Sequence, residues 1–358
     1  MFIDSLTLQN FRCFKEGSFT FQGTRTVISG ENGRGKSNLL ESIFFLAVAK
    51  SSRGALERDV LRHGADYFNI QSSVIKKGSL RASIRIYYDP HSGKRIYLDE
   101  CPLPRLSDLL GTFNAVLFSP EDVDLVLRFP HERRRMLDIL ASQASISYLS
   151  DLQVYQRALA QRNRLLRNGV SQAGAEAQLQ PWDVQLAGAG ARIVRYRTEA
   201  VERIGSSARR FHASFSPEGE DLCVRYQSPW AADTVEETQV LILSGLQRQR
   251  DRELDLGYTL AGPHKDQLLF EIGGRDVQRH ASQGQLKSVL LSWKLAEAVF
   301  LESVASEAPV LLLDDIFSEL DTRRSLRLLN LLGDFGQVIL TTARDPDLPI
   351  SEYQGIAI

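Results

Sequence analysis

The chain has 358 residues, 43% of them hydrophobic and 24% charged, an ordinary globular composition with room for two or three cores. Its formal net charge of −1 excludes nucleic-acid binding through a global basic excess, so any such binding must rest on local patches. Cys13, Cys101 and Cys223 are widely spaced with no C-x-x-C pair, which argues against a disulfide framework or structural zinc and suits a reducing cytosol. Residues 1–6 carry neither a basic n-region nor a long apolar run, and no stretch reaches the ~18 apolar residues of a membrane span. The expectation is a cytoplasmic protein with no membrane association.

In chain order, residues 2–8, 18–21 and 24–29 read as short strands punctuated by Gly17 and Gly23, with Asn10-Phe11-Arg12 between the first two. Residues 80–88 and 95–98 read as a hairpin turned at residues 89–93, so the first ~110 residues form a strand-rich layer. The character changes at Phe118-Ser119-Pro120-Glu121-Asp122. Beyond it Leu137, Leu140, Ala144, Tyr148, Leu152, Tyr155 and Leu159 recur at helical spacing within 133–167. Residues 169–181 read as a loop or hinge, 182–211 and 234–254 as helical blocks, and 221–226 as a strand. Strand signals resume at 258–260 and 267–272. A helix opens at Ser282, the apolar run 309–315 reads as a parallel strand buried on both faces, and a helix (323–332) and strand (337–341) follow.

The organising stretch is Gly30-Glu31-Asn32-Gly33-Arg34-Gly35-Lys36-Ser37, which fits the P-loop pattern G-x-x-x-x-G-K-[ST] between a strand ending at Ser29 and a helix entered through Asn38. Its three glycines let successive backbone N–H groups turn toward an anion, and the helix N-terminus adds partial positive charge. Lys36 is expected to reach the β- and γ-phosphates of a nucleoside triphosphate, and the Ser37 hydroxyl to ligate Mg²⁺.

Asp314-Asp315 after the apolar run have the form of a Walker B strand end: Asp314 would hold the metal through its water shell and Asp315 would polarise the attacking water. Ser282-Gln283-Gly284-Gln285 starts a helix and offers a second anion-binding N-terminus, although an ordinary cap by Ser282 explains the same residues. His63, His91, His131, His212, His264 and His280 show no metal-ligand spacing.

Together, residues 30–37, Ser282-Gln283-Gly284-Gln285, residues 311–315 and Ser318-Glu319-Leu320-Asp321 resemble the Walker A, signature, Walker B and D-loop of ATP-binding-cassette ATPases. More narrowly, the chain resembles the RecF family, which is related to the SMC-type chromosome ATPases. Pro120-Glu121-Asp122 with Arg133-Arg134, Gly262-Pro263-His264-Lys265-Asp266 and Lys294-Leu295-Ala296-Glu297 also look RecF-like, and Asn10-Phe11-Arg12 is similar to the shared N-terminal strand. Departures are Arg128-Phe129-Pro130 in place of a Gly-small-Pro step and Ser37 where Thr is common; at the switch position, where transporter cassettes carry a histidine, Thr341-Thr342 resemble the hydroxyl residues of RecF-like proteins.

The resemblance implies an α/β fold: an ABC-type ATPase head with a mixed sheet and P-loop core, formed by 1–118 and 256–358, with 119–255 as an inserted helical subdomain. It implies ATP and Mg²⁺ as cofactors, with residues 30–38 and Arg12 binding ATP, Asp315 and Lys36 catalytic, and Ser318 and Asp321 in the D-loop. It also implies an ATP-dependent homodimer in which Ser282 meets the P-loop of a second copy and slow hydrolysis releases a DNA clamp. Implied partners are DNA (single-strand gaps and duplex junctions), RecR and RecO, in recombinational repair, replication restart and the SOS response. Candidate DNA contacts are Arg53, Arg58, Arg133, Arg134, Arg157, Arg164 and Arg167, with Arg135 and Arg162 alongside. Two rivals are a transporter ATPase subunit, disfavoured by Thr341-Thr342, and a nucleotide-gated scaffold with negligible hydrolysis.

Overall fold

The computed structural model describes residues 1–120, 123, 129–168, 172–215, 220–318, 322–342 and 353–358. Strands β1 (Phe2–Phe11) and β2 (Phe14–Thr20) form a hairpin. Strand β3 (Arg25–Ser29) leads into α1 (Lys36–Val48), and a short α2 (Glu57–Val60) follows. Next come β4 (Phe68–Ile75), β5 (Arg81–Asp89), β6 (Gly93–Leu98) and β7 (Cys101–Pro102), which with β1 and β2 make an antiparallel sheet in the order β2-β1-β4-β5-β6-β7. Strict alternation of buried and half-buried residues along β4 shows that one face of this sheet is dry.

After β8 (Ala115–Phe118) the chain turns helical: α3 (Pro130–Ala144), α4 (Ile146–Arg167) and α5 (Gln172–Phe215). Strand β9 (Leu222–Gln227), α6 (Val235–Arg248) and α7 (Arg250–Leu256) follow. Then β10 (Gln267–Ile272) and β11 (Arg275–Asp276) join β9 in a three-stranded antiparallel sheet, after which comes α8 (Val277–His280). Helix α9 (Gln283–Ala305), β12 (Val310–Leu313), α10 (Thr322–Leu332), β13 (Val338–Thr342) and β14 (Gln354–Ala357) complete the described chain. No helix among the described residues is long and apolar enough to cross a membrane.

Strands β14, β3, β13, β12 and β8 form the central parallel sheet in that order. All four residues of β12 are buried, as expected for a strand covered on both faces. Because successive side chains point to opposite faces, the two faces feed two cores. Ile28, Ala115, Leu117, Leu312 and Ile339 join α1 and the antiparallel sheet. Val27, Val116, Phe118, Leu311, Leu313 and Leu340 join α5, α9 and α10. A third cluster, around Tyr155, Leu186, Ile193 and Ile242, belongs to α4, α5 and α6, so α5 takes part in two cores.

Three expectations are corrected in detail. The helical face from Leu137 to Leu159 is carried by two helices, because Ser145 takes an extended conformation and caps α4, its hydroxyl accepting the Tyr148 N–H at 3.2 Å. Residues 172–181, expected in a loop or hinge, are helical; their Ala and Gln residues are good helix formers, and Pro181 sits inside the helix at the loss of one backbone donor. Residues 258–260 form no strand. Two of their N–H groups go to side chains instead: Thr259 donates to Asn163 Oδ1 at 2.8 Å and Leu260 to buried Glu253 Oε1 at 2.6 Å.

Those contacts adjoin the most buried charges of the helical region. Arg162, fully buried, ion-pairs with Asp183 at 2.6 Å and Glu253 at 2.7 Å, and Arg250 joins Asp183 at 3.1 Å. Two cations thus face two carboxylates and the set is formally neutral. Removing one member strands the others in a low dielectric, which typically costs 3–5 kcal/mol. Arg162→Ala is therefore expected to lower unfolding free energy by about that amount in a denaturant titration; a change under ~1 kcal/mol would show that water relieves the cluster.

Candidate nucleotide site

Helix α1 lies between the two sheets, with Leu39, Leu40, Ile43, Phe44, Phe45, Leu46 and Val48 all buried. A helix covered all round has no wet side for Glu41, which is 1% exposed. Arg12 answers it, with Nε and Nη2 each donating to one Glu41 oxygen at 2.9 Å, while Nη1 donates to the Asp59 carbonyl at 3.0 Å. Ser51 Oγ adds a bond to Glu41 Oε1 at 2.5 Å, and Arg135 donates to the carbonyls of Ser51 and Ser52 at 2.8 and 3.0 Å. Arg12, expected to contact ATP, thus fastens the β1–β2 turn to the P-loop helix, and Arg53 projects from the loop that Arg135 clamps.

The loop itself has the backbone the motif requires. Gly30, Gly33 and Gly35 all have positive φ, with Gly35 at +108° as the residue before α1. A Cβ on Gly35 would come within 2.6 Å of Cys13 Sγ, and one on Gly30 would meet the Ile358 carbonyl. Gly33 faces open space, and Glu31, Asn32 and Arg34 are exposed. Lys36 folds back across the loop, Nζ donating to the carbonyls of Gly30 at 2.6 Å and Glu31 at 2.9 Å. Ser37 and Asn38 are half-buried at the first turn of α1, where Asn38 Nδ2 donates to Cys13 Sγ at 3.2 Å. Helix N-terminus, glycine loop and lysine converge on one spot suited to a polyanion.

Strand order brings the acids to this loop. Strand β13 lies between β3 and β12, with Thr342 level with Ser29 on one side and Leu340 level with Leu313 on the other. Gly30 and Asp314 therefore leave the same sheet edge two strands apart, roughly 10 Å at normal strand spacing. Asp314 is 6% exposed and its Oδ1 accepts the Thr341 hydroxyl at 2.6 Å. Burial, with the Asp314 charge next to it, raises the Asp315 carboxyl above its ordinary range, against the Ser318 hydrogen bond and the pull of Lys36 and Lys287. A raised carboxyl accepts a proton more readily, which suits a group that polarises water.

Ser282 caps α9 in a complete capping box: its hydroxyl accepts the Gln285 N–H at 3.3 Å, and its own N–H donates to Gln285 Oε1 at 2.8 Å. Ser282 and Gln283 are exposed, Gly284 is half-buried, and Gln285 Nε2 donates to Glu220 at 2.8 Å. Helix α9 packs on the face of the parallel sheet opposite α1, so the chain does not stack its signature helix on its own P-loop helix. Ser318 is exposed and donates to the Asp315 carbonyl at 2.9 Å, whereas Asp321, Glu319, Glu121 and Asp122 lie outside the described residues.

The arginines divide by burial. Arg53, Arg58, Arg157, Arg164 and Arg167 are exposed, the last three along α4. Arg133 is 3% exposed and Arg162 fully buried, so these two serve the interior, while Arg134 is half-buried and donates to the Asp266 carbonyl at 2.8 Å. Periodicity could not separate them, because Arg is long enough to occupy either side of a helix.

This geometry meets its counterpart in known proteins. The family model for the RecF/RecN/SMC N-terminal domain matches residues 2–352. The chain belongs to the RecF family. It is 38% identical over 347 residues to the DNA replication and repair protein RecF of Thermosynechococcus vestitus, covering 96% of this chain and 90% of that one. It is 37% identical over 347 residues to that of Bacillus pumilus, covering 96% and 93%. A solved structure of the recombination mediator protein RecF with ATP superposes with a TM-score of 0.87 at 30% identity, covering 97% of this chain and 95% of that one. An SMC head bound to the C-terminal winged-helix domain of ScpA superposes at 0.53 with 18% identity over 96% and 91% of the chains, a likeness of fold alone. The α/β head expected for this family of ABC/SMC-type ATPases is the fold observed.

Sequence reasoning missed Thr341 as a partner of both acids, and it missed β14, which adds to the β3 edge and brings Ile358 against Gly30. A positive φ with a sulfur 2.6 Å from the added methyl makes Gly35 hard to replace, as the Ile358 backbone carbonyl does for Gly30. Gly35→Ala should weaken ATP binding roughly 5- to 150-fold in a fluorescent-nucleotide titration, from about 1–3 kcal/mol of strain placed at the anion site.

Proposed function

We propose that the chain is an ATP-dependent DNA-binding ATPase of the RecF type, acting in recombinational repair, replication restart and the SOS response. The observation that carries this reading is the meeting of the P-loop with Asp314 and Asp315 at one edge of a parallel sheet, while α9 sits on the sheet's other face. The backbone N–H groups of residues 30–37, the α1 N-terminus and Lys36 bind the triphosphate, with Asn38 and Arg12 at the margin. Ser37, directly, and Asp314, through the metal's water shell, would hold a Mg²⁺ ion beside the phosphates, which would supply positive charge against the phosphate oxygens. Such a site needs few protein ligands, in keeping with the absence of larger acidic or His/Cys clusters among the described residues. Asp315 polarises the attacking water. The division into an ATPase lobe (1–118 and 256–358) and a helical lobe (119–255) belongs to the same proposal.

Ser282-Gln283-Gly284-Gln285 completes the site from a second copy, with Ser318 and Asp321 of the D-loop beside it, giving a twofold dimer with two equivalent sites. Slow hydrolysis then releases a dimer closed on DNA, with RecR and RecO as partners. The exposed Arg53, Arg58, Arg157, Arg164 and Arg167 are the preferred phosphate contacts; Arg133 is buried, and half-buried Arg134 is engaged by the Asp266 carbonyl.

ATP should raise the sedimentation coefficient of the wild type to that of a dimer. Ser282→Asp keeps a good helix cap but repels a phosphate, so it should remain monomeric with ATP affinity nearly unchanged. A Ser282→Asp protein that dimerises normally would remove the composite site. For DNA, joint reversal of Arg157, Arg164 and Arg167 to Glu should lower affinity and flatten the log–log salt slope by about 3, leaving ATP binding intact. An unchanged slope would place the contact surface elsewhere.

A further inference from the structure

The buried hydroxyl of Thr341 occupies a position that no expectation assigned to it. Thr341 is 0% exposed and lies on β13, the strand between the P-loop strand and the strand bearing the two acids. Its Oγ1 donates to Asp314 Oδ1 at 2.6 Å and accepts the Asp315 N–H at 2.9 Å. A hydroxyl has one proton to give and lone pairs to receive, so this single atom fills both roles at once. On the other side of β12 the Asp314 N–H donates to the Phe118 carbonyl at 2.9 Å, which fixes the backbone of the first acid. Asp315 adopts φ +44°, a left-handed conformation uncommon for a residue with a side chain, so the chain reverses between the two acids. The Thr341 bond to the Asp315 N–H and the Ser318 bond to its carbonyl hold that reversal from both ends.

We propose that Thr341 is a positioning residue for ATP hydrolysis, acting through Asp314 and Asp315. By engaging Oδ1 of Asp314 it sets the carboxylate plane and leaves the other oxygen for a metal-bound water. By holding the Asp315 N–H it turns that side chain away from the sheet toward the mouth of the P-loop. Valine at this site would keep the shape and remove both bonds, leaving a buried N–H without its acceptor and a carboxylate free to rotate. The nucleotide-binding loop makes none of these contacts, so affinity for ATP is separable from the rate. The inference rests on the reading of Asp314 and Asp315 given above.

The test is steady-state phosphate release by the full chain with saturating ATP, Mg²⁺ and duplex DNA, alongside an ATP-binding titration and a thermal melt. Thr341→Val should lower kcat by on the order of 10²-fold, the usual consequence of a misplaced reacting group, with ATP affinity within about twofold of wild type. Thr341→Ser restores the hydroxyl and should recover most of the rate. In an Asp315→Asn background the Thr341→Val loss should shrink to the part that acts through Asp314, so the two losses should be less than additive. A valine variant at the wild-type rate, a loss of rate and ATP affinity in equal measure, or fully additive losses would each overturn the inference. If the valine variant does not fold, Thr341→Cys, of similar volume and weaker hydrogen bonding, takes its place with the same expected direction. Failure of the underlying reading is told apart by Asp315→Asn alone: hydrolysis at the wild-type rate there removes the role of Asp315. Loss there with an active Thr341→Val removes only the role of Thr341.

Discussion

Burial of α1 on all sides places the Glu41 carboxylate out of reach of water, and the bidentate contact from Arg12 compensates the charge that would otherwise stay unpaired. Much of the site's local geometry depends on this pair. It ties the β1–β2 turn to the helix that carries Lys36 and Ser37, and the same turn sets Cys13 against Gly35. Through Ser51 it reaches the loop clamped by Arg135, so the P-loop helix, the antiparallel sheet and α3 share one connected set of polar contacts. A rigid loop is what an anion site made of backbone N–H groups requires, because those donors cannot be re-aimed by rotating a side chain.

The second constraint is the alternation of the parallel sheet. Since odd and even residues of β12, β8 and β13 enter different cores, whatever packs on one face is separated from the other by the thickness of the sheet. The P-loop helix takes one face and α9 the other. The proposed composite site shared by two copies agrees with this packing. Each chain offers a triphosphate cradle at one sheet edge and an exposed, fully capped helix start elsewhere. The capping box on Ser282 does not compete with that reading: the cap engages the N–H groups of Ser282 and Gln285 and leaves other first-turn donors of α9 free to meet an anion.

Much of the fold was legible because its signals are local. The P-loop spacing, the apolar run into Asp314 and the turn at residues 89–93 each determine their own structure, and each appears where the spacing places it. What was illegible depends on distant partners. Residues 258–260 have a strand-like composition, yet Asn163 and Glu253 take their donors. The segment 172–181 looks like a linker by its glycine and glutamines but continues a helix that packs into two cores. Thr341 stands out in the sequence only as lying where transporter cassettes carry a histidine; its bonds to both acids emerge when the strand order sets it between them. Side-chain period shows which residues share a face, but not which element will cover that face.

The arginines give the sharpest case, because the same residue type does opposite work a few positions apart. On α4, Arg157, Arg164 and Arg167 stand in solvent while Arg162 is sealed among Asp183, Glu253 and Arg250. A buried arginine matched by acids adds nothing to the outer field, and one in solvent adds its full charge at short range. The buried set of Arg162, Arg250, Asp183 and Glu253 is neutral and leaves the formal charge of −1 unchanged, so any positive potential on this face has to come from its exposed arginines. Attraction to a phosphate backbone depends on the charges left uncompensated within a Debye length of the surface, about 8 Å at physiological salt. Local burial, which removes Arg133 and Arg162 from that surface and leaves Arg134 half-buried, thus limits which arginines can face a polyanion.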